Sequence, residues 1–149
     1  MPVMTAASNI LSLDFGTKRI GLAIARAYKV SSFTIAEPFK ILANQDPNSQ
    51  NQVFQQILDI CLKEKINQIV VGLSENVMAE KTKQFASNLA TYLAAYSELN
   101  NLKVEFFDET LSSQEVAKKL VQAGASNKKR RGPIDHYAAA VILEEWMAA

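Results

Sequence analysis

The sequence predicts an α/β layered domain with a mixed five-stranded sheet, three antiparallel strands followed by two parallel ones, flanked by helices. Three observations predict it. The stretch from Ile10 to Ile24 holds two apolar runs around Asp14-Phe15-Gly16-Thr17-Lys18-Arg19, the pattern of a β-hairpin. Ile69-Val70-Val71-Gly72-Leu73 is a continuous, largely β-branched run, the sign of a strand covered on both faces. Around that run, apolar residues recur at helical spacing, so a meander gives way to strand-helix alternation.

In chain order, the hairpin puts Asp14 at a strand end. Gly16 allows a tight turn, being tolerant of φ > 0, and Lys18 and Arg19 stand beside it. An anion, a metal or both could sit there, although Asp-x-Gly is also an ordinary turn sequence. The third strand is expected over Ser32 to Ile41, and Pro38 suggests an edge or end position. A polar connection, Asn44 to Asn51, leads into a helix whose apolar face is Phe54, Ile57, Leu58, Cys61 and Leu62. Cys61 reads as a small buried residue, since no cation is near it to favour a thiolate. A second helix, from about Ala79 to Ser97, carries a core stripe of Phe85, Leu89, Tyr92, Leu93 and Tyr96.

The fifth strand, Val104 to Asp108, runs into Glu109. A further helix start is marked by Ser112 as cap, Glu115 completing a capping box, and a Leu111–Val116 staple, with Gly124 closing that helix. Glu109 therefore falls between a strand's C-terminal end and a helix N-terminus, where parallel α/β sheets bind ligands. The densest charge run, Lys128-Lys129-Arg130-Arg131, is either a solvated loop or a phosphate-binding one. Asp135 opens the last helix on one face with Ala138, Ala139, Ile142 and Trp146.

With 149 residues, 48% of them apolar and 21% charged, residues 1–149 are expected to form one globular domain. A net charge of +1 provides no overall field for nucleic acid or membrane, so attraction to polyanions must be local. The N-terminal stretch is unlike a secretory signal, no apolar run is long enough to span a bilayer, and Cys61 has no disulfide partner. The expected location is the cytoplasm, with no membrane partner.

If the first, fourth and fifth strands are neighbours, Asp14, Glu109 and Asp135 can converge at one sheet edge. Close carboxylates need a compensating cation, and with no His/Cys cluster to argue for zinc the natural choice is Mg²⁺ or Mn²⁺. Two such ions about 4 Å apart serve phosphodiester cleavage. Gly16, Lys18, Arg19, Lys128, Lys129, Arg130 and Arg131 are the candidate substrate contacts, and nuclease is the sharpest reading.

These residues also carry a resemblance. Asp14-Phe15-Gly16-Thr17-Lys18-Arg19-Ile20-Gly21-Leu22-Ala23, Val70-Val71-Gly72-Leu73, Asp108-Glu109-Thr110-Leu111-Ser112-Ser113 and Ile134-Asp135-His136-Tyr137-Ala138-Ala139-Ala140 resemble, in order, the motifs of the bacterial YqgF family, also called RuvX. The resemblance implies a ribonuclease H-like fold. It also implies a nuclease, assigned variously to 5′-end maturation of the small-subunit ribosomal RNA precursor and to Holliday junction resolution. Asp14, Glu109 and Asp135 match the family's metal-binding acids, and Lys18 and Arg19 its basic pair.

The chain departs from that pattern at Thr110, where the family commonly has Arg, and at Ser74, where it commonly has Pro. Glu75-Asn76-Val77-Met78-Ala79 replaces a glycine-containing loop. Glu75 or Asp108 could supply a site carboxylate in place of Glu109, and His136 is open between proton-transfer aid and surface residue. The resemblance favours ribosomal RNA processing, with structured RNA or branched DNA as substrate. Junction resolution, which needs a twofold dimer, is the alternative. A non-catalytic nucleic-acid-binding module is a third reading. An ATP-binding protein of the actin and sugar-kinase type is disfavoured by the lack of a second lobe. Whether the chain is a monomer or a dimer is open.

Overall fold

The computed structural model describes residues 8–16, 18–28, 35–44, 50–73, 79–108 and 135–148. Five strands form one sheet: β1 (Ser8–Phe15), β2 (Arg19–Tyr28), β3 (Glu37–Ala43), β4 (Ile66–Leu73) and β5 (Lys103–Asp108). Their spatial order is β3-β2-β1-β4-β5. The β1–β2 and β2–β3 pairs are antiparallel, and β4 and β5 add in parallel beyond β1. The expected mixed sheet is therefore present, with the first, fourth and fifth strands side by side.

The helices among the described residues are α1 (Gln50–Lys63), α2 (Ala79–Ala94) and α3 (Asp135–Ala148). Strand alternation assigns the layers. Leu11 and Leu13 of β1, Ile20, Leu22 and Ile24 of β2, and Ile69 and Val71 of β4 face one way, into a core with Phe54, Ile57, Phe85 and Leu89 of α1 and α2. The intervening Ile10, Ala23, Ala25 and Val70 face α3 and meet Ala139, Ala140, Ile142 and Leu143. Alanines on both sides let the helix approach the sheet closely. The central strands are thus covered on both faces, as the β-branched run required.

Several boundaries differ from expectation. β3 starts at Glu37, not Ser32, leaving Ile35 and Ala36 outside the strand, and it runs on to Ala43. Its Pro38 sits on the sheet edge beside a register shift, where a missing N–H costs no ladder bond. β4 begins three residues early at Ile66, and α1 begins inside the stretch expected to be a connection. Leu62 is exposed rather than part of the apolar face, which Val53 and Ile60 complete instead. α2 stops at Ala94, and a 3-10 turn over Ser97–Leu99 then buries Leu99.

The α2 aromatic stripe is core: Phe15, Phe54, Phe85, Tyr92 and Tyr96 form a chain of tilted rings with centroids 4.7–5.8 Å apart. Cys61 is fully buried, and burial pushes its thiol pKa up to about 12, which fits a packing role. The helix start around Ser112, Gly124, the loop after Leu73 and the 128–131 basic run lie outside the described residues.

Candidate active site

The candidate site lies where the β1–β2 hairpin meets the N-terminus of α3. Along β1, Ile10 packs in the α3-facing core and the buried Ser12 hydroxyl donates to the Ala139 carbonyl at 2.7 Å. Asp14, next in the alternation, lies on that same face and is half-buried. Phe15 turns the other way onto Phe85, which fixes the strand end that carries the carboxylate.

Asp14 has a glycine opposite it on both neighbouring strands, Gly21 on β2 and Gly72 on β4. No side chain from either strand crowds the acid at its own level. Gly21 has a second purpose. A Cβ there would lie 1.9 Å from the Asp135 carbonyl oxygen and 2.7 Å from the His136 nitrogen, so only glycine lets α3 begin directly on β2. Residues directly opposite in an antiparallel pair have Cβ positions about 4.5–5.5 Å apart. Asp14 and the first residue of α3 are thereby brought to one spot from opposite ends of the chain.

Asp135 is half-buried, and its Oδ2 accepts a hydrogen bond from Arg19 Nε at 3.1 Å. Arg19, expected to contact substrate, is therefore engaged by a site acid. Lys18 is exposed on the turn. The two ends of that turn are held by the residue just after β3: the Asn44 amide side chain donates to the Gly16 carbonyl at 2.7 Å, and its backbone N–H donates to the Lys18 carbonyl at 2.8 Å. Gly16 does not have positive φ. Glycine is needed there for space, since a Cβ would stand 2.6 Å from the Arg19 carbonyl oxygen. His136 is half-buried with its ring 4.5 Å from that of Tyr137, and so is not a plain surface residue.

Of the three expected acids, Asp14 and Asp135 are thus on one face at one end of the sheet. Glu109, with its possible substitute Glu75, lies outside the described residues, as do Thr110, Lys128, Lys129, Arg130 and Arg131. Asp108 ends β5 opposite Leu73, and Phe107 before it packs on the α3 side. Among the described residues no group of three His, Cys, Asp or Glu side chains converges as a metal site. The two acids nonetheless suit a hard cation in kind: both are oxygen donors, and Asp135 already holds a positive group.

Sequence reasoning passed over Gly21, Ser12 and Asn44. Gly21 was detectable, because closing the hairpin on the Phe15–Ile20 pair puts it opposite Asp14. Asn44 and Ser12 act through long-range contacts that leave no local pattern.

The family model of RuvX, described as Holliday junction resolvase, matches residues 8–149. The chain belongs to the RuvX family. A relative from Maridesulfovibrio salexigens named "Putative pre-16S rRNA nuclease" is 33% identical over 139 residues, covering 93% of this chain and 97% of its own. One of the same name from Sulfurihydrogenibium sp. is 32% identical over 146 residues, covering 94% and 90%. Among solved structures, RuvC of Thermus thermophilus superposes with a TM-score of 0.61 at 15% identity, over 94% of this chain and 95% of that one. The fowlpox virus Holliday junction resolvase does so with 0.61 at 14%, over 94% and 98%. This RuvX chain therefore has the ribonuclease H-like fold that RuvC also has. Among its described residues no helix is long and apolar enough to cross a membrane.

Proposed function

We propose that this RuvX-family chain is a divalent-metal-dependent nuclease that trims the 5′ end of the small-subunit ribosomal RNA precursor. The observation that supports the reading is the seating of the α3 N-terminus on Gly21, the residue paired with Asp14 across the hairpin. Asp14 and Asp135 would hold Mg²⁺ or Mn²⁺, with Glu109 as the third carboxylate. The metal would supply an activated water and neutralise charge on the leaving oxygen.

The protein's own groups do the positioning. Asn44 ties the backbone of Gly16 and Lys18, and the exposed Lys18 would be available to a backbone phosphate. Lys128, Lys129, Arg130 and Arg131 precede Asp135 in sequence and would grip phosphates on either side of the cut. The relatives' shared name supports the RNA substrate. The family's description favours a second reading, cleavage of four-way DNA junctions, which needs two symmetric centres.

The test is side-by-side incubation of the purified chain with a 5′-extended small-subunit RNA precursor and with a four-way DNA junction, in Mg²⁺ or Mn²⁺. Defined shortening of the RNA, absent with chelator, is expected. Paired symmetric nicks in the junction with intact RNA would favour the second reading, and no cleavage of either would leave a binding module.

A further inference from the structure

The Arg19–Asp135 pair gives Arg19 a role besides the substrate contact expected from its place in the hairpin. We propose that Arg19 is a built-in counter-ion that keeps the place of the divalent cation on Asp135 and is displaced when the cation binds. The inference rests on the reading of Asp14 and Asp135 as metal ligands.

Two carboxylates set on one face repel unless a positive charge lies with them. Arg19 supplies it through Nε at 3.1 Å from Asp135 Oδ2. The pair is also displaceable: the Arg19 side chain is 43% exposed and that of Asp135 24%. It is therefore held no more firmly than a surface ion pair, and its guanidinium can rotate into water without a desolvation cost. A metal that takes Asp135 through Oδ2 meets the guanidinium there and displaces it. The freed guanidinium remains tethered at the start of β2, next to the acids, where an approaching phosphate can take it. Metal and phosphate then help each other, since whatever draws Arg19 from Asp135 strengthens metal binding, and the converse.

The test is calorimetric titration of Mn²⁺ into the full chain and its Arg19→Gln, Arg19→Lys, Asp14→Asn and Asp135→Asn variants, with folding checked by circular dichroism. Arg19→Gln should bind Mn²⁺ about two- to fivefold more tightly than the parent, the span expected for an exposed pair. Arg19→Lys, which keeps the charge, should stay closer to the parent. The rise in melting temperature on adding Mn²⁺ should likewise be larger for Arg19→Gln. Equal or weaker Mn²⁺ binding by folded Arg19→Gln, with binding lost in Asp135→Asn, overturns the counter-ion role and leaves the metal site standing. Undiminished binding in both acid variants overturns the metal reading itself. If Arg19→Gln does not fold, Arg19→Lys decides: binding weaker than that of the parent contradicts the proposal.

Discussion

Gly21 shows how a site can depend on a side chain that is not there. Its position under the Asp135 carbonyl is occupied by backbone, which cannot rotate away, so Gly21→Ala should push α3 off β2. A loss of about 2–3 kcal/mol in denaturant unfolding is expected, at the upper end of what overpacking costs. Asp14→Asn and Asp135→Asn should leave the fold intact. Each should lower metal-dependent cleavage at least about 100-fold, because even supporting groups around a metal typically cost 10- to 100-fold. Cys61 makes a pH prediction. Its folded pKa is raised from 9.0 to about 12, so as pH climbs past 9 the unfolded thiol ionises and the folded one does not. Stability attributable to Cys61 is full below pH 9 and falls through the window up to 12. Unfolding midpoints at pH 8 and 10 should diverge less in Cys61→Ala than in the parent.

Among the elements, those with a strong internal period were legible and those shaped by distant contacts were not. The hairpin, β4 and the aromatic stripe of α2 announce themselves because alternation and helical spacing directly record which face is buried. Ser32–Ile35 is β-prone and so predicts an earlier start to β3, whereas pairing with β2 ends at Glu37. The paired acids were legible as candidates from motif order, but the ion pair between Arg19 and Asp135 was not. A contact between a hairpin and a helix this far apart leaves no trace in local pattern. The link between α1 and β4 carries its own prediction. Lys65 there adopts φ 55°, a left-handed conformation that disfavours a side chain. Lys65→Gly should raise stability by about 0.5–1 kcal/mol in chemical denaturation.

At the scale of the whole molecule, the sheet order puts β1 between β2 and β4, so both neighbours of Asp14 are set by topology as well as by sequence. The opposite end of the sheet is tied separately, through Arg26 to Glu37 and Glu64 and through Asn9 to the Glu64 carbonyl. Because the net charge is only +1, nucleic-acid affinity must come from local cations. Neutralising Lys128, Lys129, Arg130 and Arg131 together should weaken binding and flatten the dependence of log affinity on log salt by about 3 units, if each meets one phosphate. The most direct test of the paired acids is paramagnetic broadening of backbone amide signals by substoichiometric Mn²⁺. Broadening should centre on Asp14, Gly21, Gly72, Asp135 and His136, spare Asn9, Glu64 and Asn67, and vanish in Asp14→Asn. Broadening centred elsewhere, or unchanged by that substitution, would contradict a metal held between Asp14 and Asp135.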